Sequence, residues 1–519
     1  MAINRGIDIK LNIQPILGAL IHDNVFEGPC RFGSGAQLEK EYDQFVSGEA
    51  FKAFKENMNK YFSGPDYNIL EPKYFERNEE FLGISEEILA DLTENDHEVD
   101  CYLFASSGRI YDYMMMVAQI TGKPIITVQW CCNNTIETAA IRARGGECYA
   151  YDSWEETADR MRLLRVRKVM RSSNVLLITR GNSTMATLSC ADGFLSLEQV
   201  TRDIGPRFRY MDLHEFLDQA FTSDPDANYT LPTRKGCYNL TAAEIADAER
   251  IADELIAGAV ECSMDRDSVI RSVRIYKMSK KMMDIMDCSA MTAPCPEACA
   301  TTRLNNVRAT FCLNHSLLNE EGIPSSCEYD IPGLLGMMLL NNVARSAAYL
   351  GNTTGVVLGE DDTPKSNVFN FYPDLMDVVR TVEDPERRRN LVLTAHSTPN
   401  RKLSGFDAAA SPYRISPFTG SGWGATLRRD FALDKGQVIT VARFSPDGKS
   451  LFAARGTIVG CVGYHSSGCT TGVVYSVADR KDFFQKQCEF GNHTPLVYGD
   501  YVADLVELGR MMGLRVITA

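Results

Sequence analysis

Short apolar runs alternate with helical stretches along the first half of the chain. Apolar residues fill 101–104 and 124–130, and the segment between them holds a small-residue loop followed by helical periodicity over 111–120. A strand, a loop, a helix and a second strand form a βαβ unit, which predicts a parallel sheet. The same alternation predicts further strands at 6–13, 174–178 and 208–212, and helices at 38–62, 213–220, 242–262 and 266–283.

The loops that follow the strands of a parallel sheet are where ligands bind. Arg109 follows the first of the two strands in this unit and Trp130 ends the second. Both are therefore candidates for substrate binding at the rim of a site. A surface arginine at a helix start and a packed tryptophan are the alternative interpretations of these residues.

The middle of the chain predicts a helix, a strand and a buried helix in succession. Apolar spacing indicates one helix over 298–318 that stops at Gly322, followed by a short buried strand over 323–327. The segment 334–340 is apolar on most sides, which predicts a buried helix, and the preceding Pro332 suits its start.

Two turns of this middle segment carry carboxylates. Glu297 lies in the first turn, and Glu328 and Asp330 lie in the second, where they share one face if the chain is extended. A buried charge is costly unless it is paired or binds a metal ion. Asp330 is therefore a helix N-cap, a member of a buried ion pair or a metal ligand.

Beyond residue 350 the pattern changes to short β-rich runs separated by glycine and proline. Turn signals such as Pro446-Asp447-Gly448 separate apolar runs at 438–444, 451–454, 456–462 and 472–477. This spacing predicts an antiparallel barrel or sandwich. We therefore expect an α/β domain over 1–155, a second α/β domain with the carboxylate turns over 156–350, and a β-rich domain over 351–519.

Composition excludes several classes of function. The 519 residues carry a net charge of -14, which argues against a nucleic-acid backbone or an anionic membrane surface as partner. No apolar run is long enough to span a bilayer, and the N-terminus lacks the apolar core of a signal peptide. The 16 cysteines are therefore expected to be reduced thiols in a cytoplasmic protein.

Two local patterns are given structural interpretations. The arginine-rich helix predicted at 159–171 has no interleaved aromatic residues, so a solvated helix face is favoured over a nucleic-acid stripe. Cys295 and Cys299 are not accompanied by a second Cys or His pair at the spacing of a zinc ribbon.

Three of the seven histidines lie where a site requires them. His396 and His493 lie at junctions of strands and loops, and His465 lies in a Gly/Ser-rich loop. A single histidine is more often structural, but carboxylates combined with histidine make an oxygen-rich site that suits Mn²⁺ or Mg²⁺ better than Zn²⁺. Hydride and phosphoryl transfer are poorly supported, because no dinucleotide or P-loop motif occurs in a convincing βα context.

Several motifs together resemble the L-fucose isomerase and L-arabinose isomerase family. They are CPEACATTRL, NEEGIPSSCEYDIPGLLGMMLL, LTAHST, KGQVITVARFSPDGK and FGNHTPLVYGDYVADLVELGRMMGLRV. The resemblance implies two Rossmann-like parallel-sheet domains followed by a C-terminal domain that contains an antiparallel β-barrel. It also implies a homo-oligomer, a hexamer or trimer, in which a neighbouring subunit completes the site.

The resemblance further implies a Mn²⁺-dependent aldose–ketose isomerase, with Mg²⁺ or Co²⁺ as possible replacements. Its metal ligands correspond to Glu297, Asp330 and His493, and its catalytic carboxylates to Glu297 and Asp330. Glu328 competes with Glu297 as the first carboxylate ligand, and His396 matches a second metal-binding histidine of the arabinose branch. A tryptophan common in similar proteins before the Cys-Pro-Glu motif or the histidine loop is absent.

The expected reaction moves a proton between C1 and C2 of an aldose through a cis-enediol. The sequence does not name the sugar, which is fucose-like, arabinose-like or an anionic 6-substituted hexose. Arg401 and Arg414 are candidates for an anionic substituent, with solvated loop charges as the alternative, and Asn492 is a candidate substrate contact beside the histidine loop. The alternative functions are a non-catalytic sugar-binding protein and a metal-dependent epimerase or lyase.

Overall fold

The computed structural model describes residues 3–28, 31, 33–78, 83–107, 110–128, 132–180, 193, 196–221 and 238–519. Two compact units make up the chain. One is Asp8–Lys168, and the other joins Met1–Ile7 to Val169–Ala519. The domain boundaries expected at 155 and 350 stay predictions.

The unit Asp8–Lys168 is built on a parallel sheet. Its strands are β1 (Leu11–Ile21), β2 (Tyr67–Ile69), β3 (Lys73–Asn78), β4 (Cys101–Ser107), β5 (Ile125–Thr127) and β6 (Cys148–Ala150). The order is β2-β1-β4-β5-β6, with β3 also paired to β1. The helices of this region are α1 (Lys40–Tyr61), α2 (Glu86–Thr93), α3 (Tyr111–Thr121), α4 (Cys132–Ala143) and α5 (Trp154–Ser172). The predicted βαβ unit is confirmed as β4, α3 and β5.

Two predictions in this region are confirmed only in part. The first strand begins at Leu11, because residues 6–8 form a short 3-10 turn. The arginines of α5 are solvated only in part, since Arg171 is exposed but Arg165 is only 1% exposed and its Nε lies 3.0 Å from Oδ1 of Asp66. Arg167 pairs with Glu147 at 2.6 Å. Carboxylates distant in sequence therefore pair with two arginines that we expected in solvent.

A second parallel sheet opens the larger unit. Its order is β11-β10-β7-β8, and the strands of 174–326 are β7 (Asn174–Thr179), β8 (Arg207–Asp212), β9 (Glu261–Cys262), β10 (Ala290–Thr292) and β11 (Ser325–Ser326). The helices are α6 (Leu197–Asp203), α7 (Leu213–Ala220), α8 (Ala242–Gly258), α9 (Arg266–Ile285), α10 (Cys295–Cys299), α11 (Thr302–Val307), α12 (Cys312–Glu320) and α13 (Ile331–Ala344). Helix α13 confirms the predicted buried helix, since all but its last residue are buried.

The single helix predicted over 298–318 is wrong, because three short helices occupy this segment. The Thr301 hydroxyl accepts a hydrogen bond from the Leu304 N–H and starts α11 as its N-cap. Arg308 then adopts a left-handed conformation (φ 53°) and ends it. Gly322 (φ 75°) lies just beyond the last of the three helices, α12, as expected.

The remaining strands form a ring-like antiparallel sheet and a small sheet. The ring runs β16-β19-β12-β13-β18-β17 and closes by pairing β17 with β16, while β20 joins β17 in parallel. The strands are β12 (Tyr349–Gly355), β13 (Leu391–His396), β14 (Arg414–Pro417), β15 (Ala425–Arg428), β16 (Val438–Phe444), β17 (Ser450–Val462), β18 (Thr471–Ser476), β19 (His493–Tyr498) and β20 (Arg515–Thr518). The helices are α14 (Val368–Phe371), α15 (Leu375–Arg380), α16 (Pro385–Arg389), α17 (Arg480–Gln487) and α18 (Val502–Met512). Strand β17 merges two predicted runs.

Helix α13 packs tightly against this ring. A Cβ atom added at Gly336 would lie 2.7 Å from the carbonyl oxygen of Ala442 in β16 and 3.3 Å from Pro495 in β19. This close approach holds the N-terminus of α13, and so Asp330, against the first residues of β19. Parallel sheets and a ring-like antiparallel sheet confirm the mixed α/β fold class. Among the described residues, each helix is too short or too polar to cross a bilayer.

Candidate active site

Asp330 lies at the centre of a fully buried polar cluster. It is 0% exposed, follows β11 and is the N-cap of α13, where its Oδ1 accepts from the Gly333 N–H at 2.8 Å. Its Oδ2 lies 2.5 Å from Nη1 of Arg443 and 3.0 Å from Nδ1 of His493. Both structural interpretations of Asp330, the helix cap and the buried ion pair, are therefore present.

The charge of Asp330 is held by its partners. Burial alone raises the pKa of this carboxyl, but the Arg443 guanidinium and the hydrogen bond with His493 outweigh burial and hold the pKa below its ordinary value. Arg443 is itself 0% exposed and also donates to the backbone carbonyls of Phe490 and His493. The pair is thus a buried ion pair with additional hydrogen bonds.

Glu328 approaches two histidines that come from the two strands on either side of β12. Its Oε1 lies 3.3 Å from Nε2 of His396, and its Oε2 lies 3.5 Å from Nε2 of His493. His396 ends β13 and His493 begins β19, and both strands pair with β12, where Asn352 faces Ala395 on one side and His493 on the other. The antiparallel order therefore brings both rings to one edge, with centroids 5.6 Å apart.

The turn that carries Glu328 has an unusual backbone. Glu328 (φ 62°) and Tyr329 (φ 59°) both adopt left-handed conformations, which non-glycine residues rarely do and which concentrate at functional sites. Hydrogen bonds hold the turn, from the Tyr329 N–H to the Ala293 carbonyl at 2.9 Å and from the Ser326 hydroxyl to the Asp330 carbonyl at 3.0 Å.

The carboxylate of Glu328 is also kept ionised. Burial raises its pKa, but the hydrogen bond with His396 and the charges of His493 and His396 outweigh burial, and the net pKa lies below the ordinary value. A carboxylate in this state carries a negative charge, which attracts cations.

Glu297 lies in α10 and does not touch this cluster through any hydrogen bond or ion pair of the described residues. Its backbone carbonyl accepts from Nη1 of Arg180 at 2.7 Å. Its Oε2 is buried and has no hydrogen-bond partner within the described chain. Of the three expected metal ligands, the structure therefore joins Asp330 and His493 directly, and Glu297 does not contact either of them through a hydrogen bond or ion pair of the described residues.

The other residues expected to bind substrate either pair with protein groups outside this cluster or are not among the described residues. Arg401 forms a two-pronged ion pair with Glu320, and Arg414 pairs with Glu261 and contacts His465. Asn492 donates to Oδ1 of Asn352 at 2.7 Å. Arg109 and Trp130 lie outside the described residues.

Sequence reasoning missed two buried arginines, Arg443 and Arg428. Arg428 ends β15, is 0% exposed and donates to Thr471 Oγ1 at 2.6 Å, to Thr470 Oγ1 at 3.3 Å and to the Gly468 carbonyl at 2.7 Å. Its Nε has no partner, and no carboxylate pairs with it among the described residues. Thr471 faces His396 across the β13–β18 ladder. An arginine within or at the end of an apolar run that predicts a strand could have indicated the burial of both Arg428 and Arg443.

Burial disfavours the charged form of the Arg428 guanidinium, whereas a salt bridge would favour it. Burial lowers the pKa of its guanidinium below the ordinary value, and the thiols of Cys312 and Cys469 oppose this only in part. A buried cation without a carboxylate is costly, so the site gains free energy from any anion that reaches it.

The comparisons with known proteins point to one kind of enzyme. No family model matches the chain. The chain is 26% identical over 287 residues to the sulfoquinovose isomerases of Priestia megaterium and Priestia aryabhattai, which is 54% of this chain and 54% of each relative. It therefore spans about half the length of the curated relatives it matches. This distant similarity to a sugar isomerase leaves the narrower resemblance to fucose and arabinose isomerases a prediction.

Proposed function

We propose that the protein is an aldose–ketose isomerase that moves a proton between C1 and C2 of a sugar. The observation that carries the proposal is the position of the Glu328 carboxylate between His396 and His493. The distant similarity to sulfoquinovose isomerases supports the same reaction class. Isomerisation needs a base and an acid at adjacent carbons, and this proposal gives these parts to the two carboxylates Glu328 and Glu297.

Each residue of the cluster has a distinct part in this proposal. Glu328 takes the proton, because its carboxylate is ionised and lies between the rings of His396 and His493. Asp330 is a positioning residue, because its contact with Nδ1 of His493 directs the other ring nitrogen toward Glu328. Glu297 is the second carboxylate, and its buried Oε2 has no competing partner in the described chain.

The residues fit a divalent cation of the Mn²⁺ type. The donors that lie together are a carboxylate oxygen of Glu328 and the ring nitrogens of His396 and His493. Glu297 would join them as the family resemblance implies, and oxygen-rich sets with imidazole suit Mn²⁺, Mg²⁺ or Co²⁺. The orphaned Oε2 of Glu297 is the observation that favours a bound cation. When bound, such an ion polarises neighbouring oxygens of the sugar and acidifies the proton on the adjacent carbon.

The Glu328→Gln variant tests the function. Purified protein with Mn²⁺ is incubated with a panel of aldoses, and ketose formation is followed by NMR. We expect wild-type turnover to be lost in Glu328→Gln and the Mn²⁺ affinity, measured by electron paramagnetic resonance, to fall. Glu489→Gln is the matched control, because Glu489 lies in an exposed ion pair with Arg515. Absence of turnover on every aldose by metal-loaded wild type would reject the isomerase.

We further propose that the sugar carries an anionic substituent and that Arg428 binds it. Arg401 and Arg414 already pair with glutamates, whereas Arg428 is buried beside the strand of His396 without a carboxylate partner in the described chain. A guanidinium binds a sulfonate or phosphate through two parallel hydrogen bonds. Sulfoquinovose, the sugar in the name of the two relatives, carries a sulfonate, which agrees with this assignment.

A pair of sugars that differ only in the anion tests Arg428. Kinetics are measured with sulfoquinovose and with its neutral 6-deoxy analogue. Replacing a charge-assisted hydrogen bond costs about 1.5–3 kcal/mol, so Arg428→Met should raise KM for the anionic sugar roughly 10- to 100-fold and leave the neutral sugar nearly unchanged. Arg401→Met is the control. Equal effects on both sugars would assign Arg428 a purely structural role.

The homo-oligomer in which a neighbouring subunit completes the site is also part of this proposal. Sedimentation velocity tests it directly. A monomer with full turnover at low concentration would remove the neighbour from the mechanism.

A further inference from the structure

A second group of metal-binding side chains lies beside the Glu328 cluster. Cys295, His315 and Cys327 each offer one ligand atom, and these atoms all lie within 4.8 Å of one another. Sγ of Cys295 lies 3.4 Å from Nε2 of His315. The three residues are 9%, 0% and 3% exposed, so water competes little for them.

The topology explains why these three residues meet. Strands β10 and β11 are parallel neighbours, with Thr292 opposite Ser326. Cys295 follows the end of β10 and Cys327 follows the end of β11, so both thiols lie at the same edge of the sheet. Helix α12 brings His315 to this edge, although it is 20 positions from Cys295 in sequence. Zinc-ribbon spacing therefore could not reveal the group.

The imidazole of His315 is oriented as a metal ligand is. Its Nδ1 lies 2.7 Å from the hydroxyl of Ser325. Ser325 is fixed in turn by Asn319, which accepts from the Ser325 N–H at 2.8 Å and donates to the Ser325 carbonyl at 3.0 Å. When Nδ1 donates to Ser325, Nε2 presents its lone pair toward the thiols. Ligating histidines are held by such a second hydrogen bond.

Cys327 also lies within 4.8 Å of ligand atoms of Glu328 and His396. Its set with Cys295 and His315, however, differs in kind from that group. Two sulfur atoms and one imidazole nitrogen suit Zn²⁺ and other thiophilic ions, whereas carboxylate oxygens suit Mn²⁺ and Mg²⁺. Two thiolates also balance the charge of a divalent ion. The structural alternative is a packed group in which the thiols and the imidazole bond only one another.

We propose that Cys295, His315 and Cys327 form a binding site for one thiophilic divalent cation, for which Zn²⁺ is the best fit. Three protein ligands leave a fourth position of the tetrahedron for water. The bound ion joins the end of β10 to the end of β11. Because Cys327 is followed directly by Glu328, the ion stabilises the turn that carries this carboxylate.

Cobalt substitution tests the site without reference to turnover. The reduced, metal-free full chain is titrated with Co²⁺ in the presence of a phosphine reductant. We expect one equivalent to produce a thiolate-to-cobalt charge-transfer band and the intense visible bands of a tetrahedral site, and one equivalent of Zn²⁺ to displace both. Mn²⁺ should not displace them, because Mn²⁺ prefers oxygen ligands.

Variants locate the signal on the proposed ligands. Cys295→Ser and Cys327→Ser should each lower the charge-transfer band by about half, since each removes one of two sulfur ligands. The double variant should abolish it. Cys288→Ser is the matched control, because Cys288 is a buried thiol of the same unit that bonds the Met286 carbonyl. Circular dichroism of each metal-free variant verifies folding, and His315→Gln provides a ligand change that leaves both thiols in place.

The site is rejected if the band persists in the double variant or if Co²⁺ gives no sulfur band in wild type. Loss of the band in Glu328→Gln with both thiols intact would also reject it, because the signal would then belong to the neighbouring carboxylate cluster.

Discussion

Asp330 and Arg443 form an ion pair of 2.5 Å in which neither side chain has any exposed surface. They are 113 positions apart and link the start of α13 to β16. A buried pair of this kind contributes little net stability over apolar residues, but loss of one partner leaves an uncompensated charge. This ion pair determines how substitutions at Asp330 should change the free energy of unfolding.

Asp330→Asn should therefore destabilise the fold as well as impair function. Removing the carboxylate leaves the Arg443 guanidinium buried and unpaired, and we expect a loss of about 3–5 kcal/mol in the free energy of unfolding. Urea denaturation followed by fluorescence measures it. The double variant Asp330→Asn with Arg443→Met should be more stable than Asp330→Asn alone. Additive losses in the double variant would show that the two residues are not coupled.

The lowered pKa of Asp330 predicts how the free energy of unfolding changes at acidic pH. The pKa of Asp330 is lower in the folded state than its ordinary value of about 3.9. Its stabilisation is therefore complete above that ordinary value and is lost as pH falls through the folded pKa. Wild-type unfolding free energy, measured by urea denaturation at successive pH values, should drop in this acidic range. Asp330→Asn should show a shallower drop, and identical slopes would contradict the assignment.

We expect replacement by alanine to destabilise the protein at Gly336 and to stabilise it at Gly48. A Cβ at Gly336 would lie 2.7 Å from the Ala442 carbonyl oxygen. Gly336→Ala should therefore lower the free energy of unfolding by about 1–3 kcal/mol, although alanine has the better helix propensity. Gly48 lies inside α1 with no atom within 4 Å of an added Cβ, so Gly48→Ala should gain roughly 0.5–1 kcal/mol. Hydrogen exchange of peptides from each helix measures the two local stabilities. A gain at Gly336 would argue against the close packing of α13.

The N-terminus of α8 offers a smaller and more local test. The Thr241 hydroxyl accepts from the Glu244 N–H at 3.2 Å, and Glu244 accepts from the Thr241 N–H at 2.8 Å. Thr241→Ala should cost about 1 kcal/mol, while Thr241→Ser keeps the cap and should cost much less. Thermal unfolding of the two variants compares them, and equal losses would show that the hydroxyl does not act as a cap.

Local features of the fold were predictable from the sequence. The helix at Leu213–Ala220 and the start of the helix at Ala242 were both predicted correctly, because caps and periodicity act within a few residues. The break of the helix at Arg308 was not predictable, since a left-handed arginine leaves no compositional signal.

Contacts across the chain limited what the sequence could say about the site. Asp330 was correctly placed at a buried helix start, but its ion-pair partner Arg443 lies in a different sheet. The burial of Arg165 and Arg167 in α5 was not predicted for the same reason, because their carboxylate partners come from distant segments. Glu328 was recognised as a competitor of Glu297, yet only the strand register brings it to His396 and His493.

The consecutive left-handed residues Glu328 and Tyr329 carry a cost that extends beyond catalysis. A left-handed conformation costs a non-glycine residue about 1–2 kcal/mol, which glycine does not pay. Under the proposed function, stability and activity therefore make opposite demands on position 328, since a glycine there relaxes the backbone but removes the carboxylate. In a mutant library sorted for heat tolerance alone, glycine and asparagine should accumulate at 328 while turnover disappears.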